Sequence, residues 1–477
     1  MTAAATARVR PGLARAVQAI EPIVEAFELA GLQLALVGGC VRDAALGRPG
    51  SDLDLTTDAR PDRIKALVAP HAEALWETGI RFGTVGLQRA GYQVEITTYR
   101  AESYDLESRK PEVAFGDELA EDLRRRDFTV NSMAVELPAG GLLDPHGGMA
   151  DLVAGLLRTP GAPEESFGDD PLRMLRAARF VSQLGLRIDA GTRSAMVAMA
   201  GRIDIVSPER VRDELVKLMM GADPVAGLRV LVDTGLAERI LPELPALSLE
   251  IDEHHHHKDV YEHTLRVLEQ SIVLETAHEP VIGPDFALRF AALLHDIGKP
   301  RTRRFTDGGG VSFHHHEVVG AKMTRKRMRA LRFSNDQIDE VSRLVELHLR
   351  FHGYGGGEWT DSAVRRYVRD AGPQLSRLHK LTRADCTTRN RRKAEALQRS
   401  YDSLESRIMD LEEQEELAAM RPELDGAQIM EILAIPAGPD VGRAYRFLLE
   451  LRLDRGILGE PAAADALRTW WESQPSE

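Results

Sequence analysis

The chain is expected to be α+β, with a small mixed sheet near the N-terminus and an all-α remainder. Three observations predict this. Short apolar or alternating runs ("LQLALVGG", "SDLDLTT", "FGTVGLQ", "YQVEITTYR") all begin before residue 100. From "DDPLRMLRAARFVSQL" onward, apolar residues recur at helical spacing, with Gly/Pro breaks near residues 185, 207 and 221–224. Finally, 477 residues exceed what one small core organises, at about 100–200 residues per domain.

The elements follow in order. Residues from about 12 to 30 carry a helical pattern ending at Gly31, which gives one N-terminal helix within residues 1–30. "LQLALVGG" reads as a buried strand entering a tight turn, and "VRDAAL" as a short helix stopped by Gly47 and Pro49. "SDLDLTT" is an alternating strand. "FGTVGLQ" and "YQVEITTYR" are two strands joined by "RAGY" as a hairpin. Strands are expected to vanish after about residue 150. A histidine-rich section fills roughly 254–352, and a flexible "HGYGGGEW" follows at 352–359. The C-terminal third is Arg- and Glu-rich helix, with a frayed "ESQPSE" tail.

Composition sets the outer bounds. Hydrophobic residues make up 43% and charged residues 28%, as in an ordinary soluble globular protein. A net charge of −13 disfavours nucleic acid in bulk, so a polyanionic partner must meet a local basic surface. Cys40 and Cys386 have no spacing for zinc or a disulfide framework. No apolar run is long enough for a bilayer, and no secretory leader is visible. The expected compartment is the cytoplasm, with no membrane partner and no obligatory protein partner.

The densest chemistry lies in "LVGGCVRDAALGRPGSDLDLTT", residues 36–57. On a strand, Asp52 and Asp54 project from the same face while Leu53 points into the core. Two converging carboxylates suit a hard divalent cation such as Mg²⁺, which is often shared with substrate phosphates. The Gly38-Gly39 turn exposes backbone N–H groups that suit phosphate, and Arg42 adds positive charge nearby. Glu95 in "QVEITTYR" is the candidate third carboxylate.

These residues resemble the signature of the DNA polymerase beta nucleotidyltransferase superfamily. The chain is more closely similar to the bacterial class II tRNA nucleotidyltransferases (CCA-adding enzymes) and their poly(A) polymerase relatives. The likeness continues in order through "RFGTVGL" (81–87), "EDLRRRDFTVNSMA" (121–134), "DDPLRMLRAARF" (169–180) and "SPERVRDELVKLM" (207–219). It implies a nucleotidyltransferase head over residues 31–150, a helical neck over 151–250, an HD domain over 251–395 and a C-terminal helical region over 396–477. Asp52, Asp54 and Glu95 would be catalytic, with Mg²⁺ held by Asp52 and Asp54.

The resemblance makes "DDPLRMLRAARF" a base-reading helix. At spacing i, i+3, Asp170 and Arg173 would share a helix face, with Arg176 and Arg179 near that stripe. An acceptor beside a donor matches the amino group and ring nitrogen of either cytosine or adenine. Uracil and guanine reverse that order and would leave buried groups unpaired, at about 1–3 kcal/mol each. The family often has Glu-Asp where this chain has Asp169-Asp170, so the role is carried to Asp170 alone. Arg126 is expected at the triphosphate or base, and Asp127 and Asn131 as loop-holding residues. The long loop of residues 100–122 is linked in this family to the switch from C to A addition, and its length argues against a CC-only enzyme.

The histidine-rich section resembles the HD phosphohydrolase pattern H…HD…D at His263, His295, Asp296 and Asp385. His316 and His348 stand where relatives with a second metal carry extra histidines, with the choice among His314, His315 and His316 left open. Imidazole with carboxylate suits a divalent transition metal (Mn, Fe, Co, Ni or Zn), and a metal-activated water implies phosphohydrolysis. "KMTRKRMRALR" (322–332) and "RNRRK" (389–393) offer local basic surface. Aromatics are only 5%, which favours shape recognition of a folded RNA over stacking along extended strands.

The expected function is template-independent addition of C and A, from CTP and ATP, to tRNA 3′ ends. The nearest alternative is a poly(A) polymerase or A-only enzyme on the same scaffold. More distant readings are a protein-modifying nucleotidyltransferase with an HD reversal domain, and a non-catalytic RNA-binding scaffold.

Overall fold

The N-terminal apolar pattern belongs to two helices, Thr2–Ala19 and Glu21–Leu29, which corrects the single helix expected within residues 1–30. Pro22 sits in the first turn of the second helix. It lacks the N–H that would continue the preceding helix, and its ring clashes with the carbonyl four residues back. The computed structural model describes residues 2–80, 83–99, 116–249, 260–276, 283–305, 311–353, 359–387, 390–415 and 421–474. The 100–115 part of the long loop, the histidines at 254–257, the glycines at 355–357, Arg389 and the tail from 475 lie outside the described residues.

Seven strands form one mixed sheet in the order β3-β4-β5-β2-β1-β6-β7. They are β1 Leu34–Val37, β2 Asp52–Thr57, β3 Ala74–Trp76, β4 Thr84–Arg89, β5 Tyr92–Thr98, β6 Ala134–Leu137 and β7 Leu142–Leu143. β2 and β5 pair in parallel, and the other neighbours are antiparallel. The β4–β5 hairpin turns at Ala90-Gly91, both with positive φ, a backbone twist that matches the strands it joins. Alternation sorts the two faces. Leu53, Leu55, Val85, Leu87, Val94 and Ile96 are buried on one side, while Asp52, Asp54 and Glu95 are exposed on the other. β1 is apolar throughout and fully buried.

Strands do not vanish entirely after residue 150. Leu156–Leu157 pairs in parallel with Arg187–Ile188, and Arg304–Phe305 pairs antiparallel with Val311–Ser312. Two residues per strand are too few to leave a periodic signal.

The chain divides into two compact units, Met1–Pro242 and Glu243–Glu477. In the first, the sheet is followed by helices that include Leu172–Leu184, Pro208–Met219 and Pro224–Asp233, packed on one another. In the second, helices Val260–Leu274, Phe286–Leu294, His316–Ala330, Asn335–Leu347 and Leu375–Asp385 bury a shared interior. Its charges are paired, as in the buried Arg289–Glu275 contact at 2.6 Å. The last three helices enclose a separate small core of Leu424, Ile429, Ala444, Leu448, Ala463 and Leu467. Among the described residues, no helix is long and apolar enough to cross a membrane.

Candidate active site and metal centre

The parallel pairing of β2 and β5 sets the acidic site. Its register places Asp54 directly opposite Glu95, and Asp52 lies two residues back on the same face. Solvent reaches Asp54, yet protein crowds the surrounding sides. Burial raises its carboxyl above the ordinary value, Arg126 pulls it back down, and Asp52 raises it again. Glu95 is raised too, first by burial and then by Asp54 and Asp52. Two carboxyls raised in this way beside Asp52 favour a bound cation, and the all-oxygen donor set of the three acids fits Mg²⁺.

Gly38 ends β1 with φ 75° and ψ −131°, a conformation that disfavours any side chain. A Cβ there would lie 3.1 Å from Nη1 of Arg126 and 3.7 Å from Oδ2 of Asp54. The glycine therefore lets a guanidinium approach the carboxylate, and Arg126 is anchored by Asp122 at 3.0 Å. The Gly38 N–H donates to the Met133 carbonyl, and Gly39 opens helix Gly39–Ala45.

Arg42 is held by partners within the chain. It donates to both Asp43 oxygens and, through Nη1 at 2.6 Å, to Asn131 Oδ1. Asn131 in turn donates to Asp127 Oδ1, and Asp127 Oδ2 accepts from Nε and Nη2 of Arg176 at 2.8 and 2.6 Å. Asp127 and Asn131 thus hold the loop as the sequence suggested, and also link two arginines 134 positions apart (176 − 42). Burial alone would raise the Asp127 carboxyl, but Arg176 and Asn131 bring it down to about 2. Phe180 packs under Arg42, Arg176 and Arg179, with guanidinium carbons 5.3, 5.8 and 4.4 Å from its ring centre. Arg179 also pairs with the buried Glu214 at 3.0 Å.

The expected helical pairing of Asp170 with Arg173 does not form. Asp170 precedes helix Leu172–Leu184 with extended φ −143° and ψ 98°. It is followed by Pro171, which forces the preceding residue out of the helical region. Its Oδ1 accepts from the Leu172 N–H, and its Oδ2 pairs with Arg210 at 2.8 Å. Arg173 donates instead to Ser166 Oγ at 2.7 Å and to the Arg125 carbonyl at 2.5 Å. Ser166, Arg125 and Arg210 were not singled out from the sequence, although Arg210 stands inside the quoted "SPERVRDELVKLM".

The second unit gathers the expected histidines. His263, His295 and Asp385 form one group and Asp296, His316 and His348 another, each with ligand atoms within 4.8 Å of one another. The acidic trio of the sheet is not such a close cluster. Of the three consecutive histidines, His316 is the one in the group. Nε2 of His263 lies 3.0 Å from Asp385, Nε2 of His295 lies 3.2 Å from Asp296, and Nε2 of His316 lies 3.2 Å from Asp296. Nδ1 of His295, His316 and His348 each meets the carbonyl three residues back, at 2.7–2.8 Å. That contact places the proton on Nδ1 and leaves Nε2 as the donor to a metal. Nε2 of His348 is buried without a hydrogen-bond partner among the described residues, as expected of a ligand atom. Burial, then the neighbouring His295 and His316, push His348 down to about 3, so it offers a lone pair rather than a charge. Lys299, not singled out from the sequence, contacts Asp296 at 2.9 Å. Imidazole and carboxylate together fit a transition metal.

Known proteins share these parts. The family description "Poly A polymerase head domain" matches residues 34–158, "Probable RNA and SrmB- binding site of polymerase A" matches 185–247, and "HD domain" matches 260–390. The A-adding tRNA nucleotidyltransferase of Deinococcus radiodurans is 34% identical over 456 residues, covering 92% of this chain and 96% of that enzyme. The CCA-adding enzyme of Lactiplantibacillus plantarum is 44% identical over 220 residues, or 46% of this chain. That match spans about half of the enzyme's length, at 53%. Among solved structures, the Bacillus stearothermophilus CCA-adding enzyme in complex with CTP has a TM-score of 0.67 at 24% identity, covering 96% of this chain and 98% of that one. The Thermotoga maritima CCA-adding enzyme complexed with tRNA has a TM-score of 0.60 at 17% identity, covering 97% and 98%. At these identities the structural likeness shows a common fold.

Proposed function

The chain belongs to the tRNA nucleotidyltransferase family, and from that premise we propose that it adds C and A, from CTP and ATP, to the 3′ ends of tRNA. The pairing of Asp54 with Glu95, two residues from Asp52, is the observation that carries this reading. Asp52 and Asp54 would hold Mg²⁺, which when bound lowers the pKa of the primer hydroxyl and neutralises triphosphate charge. Glu95 completes the acidic face. Arg126, held against Gly38 and Asp54, would meet the phosphates. Arg42, Asn131, Asp127 and Arg176 brace the helix on which Arg173 is carried. Base choice falls to Asp170 and Arg173, which must exchange their present partners Arg210, Ser166 and the Arg125 carbonyl for the base edge.

In the second unit, His263, His295, Asp296, His316, His348 and Asp385 would hold a divalent transition metal, which when bound activates water for attack on a phosphoester.

A second reading, addition of A alone, is favoured by one observation. The relative matched along 96% of its length is an A-adding enzyme, whereas the Lactiplantibacillus CCA-adding match ends at 53%. One assay separates the two. The protein is incubated with CTP, ATP and tRNA lacking its 3′ CCA, ending in C, or ending in CC, and the products are sequenced. Extension of all three primers supports CCA addition. Extension of the CC primer alone supports the A-adding reading, and long A tails support poly(A) synthesis. No incorporation on any primer overturns the proposal.

A further inference from the structure

The face that carries the carboxylates continues past Glu95 to an aromatic residue. Glu95 on β5 pairs with Gly86 on β4, and Gly86 pairs with Trp76 on the edge strand β3. Cross-strand partners point to the same side. Asp54, Glu95, Gly86 and Trp76 therefore form one row across four strands. Gly86 is the missing side chain in that row, and a Cβ there would overlap the Nε1 edge of the Trp76 indole. The indole lies on the glycine and remains half-exposed. Its neighbours on the same face, Gln88 and Gln93, are uncharged.

The two sides of the carboxylates differ in charge. On the β1 side, Arg126 reaches Gly38 and Asp54, and the charges of Arg176 and Arg42 are also felt at Asp54. On the β4–β3 side, the same-face residues Gly86, Gln88 and Trp76 carry no charge, and the charges felt by Glu95 come from Asp54 and Asp52 on β2. A triphosphate belongs on the cationic side. The other substrate must then bring its hydroxyl to the metal-binding acids from the neutral, aromatic side.

We propose that Trp76, seated on Gly86, is the stacking platform for the 3′-terminal base of the RNA primer, and so positions the attacking hydroxyl beside Asp54 and Glu95. This rests on the nucleotidyl-transfer reading above. Every base has a π-face, so such a platform tolerates C or A at the growing end and leaves selection to the opposite side of the site.

The experiment compares wild type, Trp76→Ala, Trp76→Phe and Gly86→Ala on a tRNA ending in CC and on the same tRNA with an abasic terminal nucleotide. Trp76→Ala is expected to raise KM for the CC primer about tenfold, with KM for ATP within about twofold. Trp76→Phe restores most of the loss, and Gly86→Ala, which displaces the indole without removing it, reproduces it. On the abasic primer, wild type and Trp76→Ala become alike, which a purely structural role would not produce. Equal KM for the CC primer in wild type and Trp76→Ala overturns the proposal, as does a penalty that persists on the abasic primer. A wild-type protein inactive on every tRNA refutes the underlying nucleotidyl-transfer reading instead.

Discussion

Asp127 accepts hydrogen bonds from the Phe128 N–H, Asn131 and Arg176 while almost fully buried. Its folded pKa, about 2, lies below the ordinary carboxylate value. A depressed acid stabilises the fold above its unfolded pKa and loses that contribution as pH falls. The window therefore runs from about pH 4 down through about pH 2, and the contribution amounts to about 2 kcal/mol. Urea unfolding at pH 6 and pH 3 should show this loss in wild type, and a flatter difference in Asp127→Asn. Asp54 belongs to the same scale with a different readout. It lies on the exposed sheet face, and burial and Asp52 outweigh the pull of Arg126 on its carboxyl, so Asp54→Ala should leave the melting temperature nearly unchanged. Radiolabelled ATP incorporation into tRNA should fall by about a thousandfold or more. Retained incorporation would remove Asp54 from the metal site.

At the scale of the element, helix Leu172–Leu184 joins packing to chemistry. Phe180 is buried, meets Phe128 edge-on at 5.8 Å between ring centres, and faces three guanidinium groups. Phe180→Ala should destabilise the protein by about 3–5 kcal/mol, measured as a shift in the denaturation midpoint at unchanged slope. Sequence reading identified the helix and its arginines because apolar positions recur every three to four residues. It misplaced Asp170, although "DDP" carried the warning, because the i, i+3 spacing was applied across a proline. The Asp127–Arg176 pair was invisible for another reason. The two residues are 49 positions apart, and no local pattern encodes which distant cation a carboxylate will meet. Asp54 and Glu95 were legible one at a time, as outward residues on alternating strands. Their pairing needed the register of β2 on β5.

At the scale of the whole molecule, the two units hold their metal ligands differently. The acids of the first unit sit on an exposed sheet face, whereas His263, His295, Asp296, His316 and His348 of the second are buried. A ligand that binds only the folded state stabilises it by mass action. Prolonged dialysis against a chelator should therefore lower the thermal midpoint by about 5 °C or more. Adding back Mn²⁺, Ni²⁺ or Zn²⁺ should restore it where Mg²⁺ does not. An unchanged midpoint after verified metal removal would count against a buried centre. The division into a sheet-bearing part and a helical part was readable from where alternation ceased. The two-residue ribbons at 156–157 and 304–305 were not, being shorter than any period.

The parallel pairing of β2 with β5 also bears on how errors in folding would show themselves. A slip of one residue would set Val94 or Ile96 beside Asp54 and turn Glu95 toward the interior. What prevents the slip is the burial of Val94 and Ile96 beneath the sheet, on the face opposite the acids. The outward facing of the acids therefore depends on two aliphatic side chains of the inner face. A population of molecules with a loosened inner face would appear in an assay as fewer competent enzymes, each turning over at the full rate.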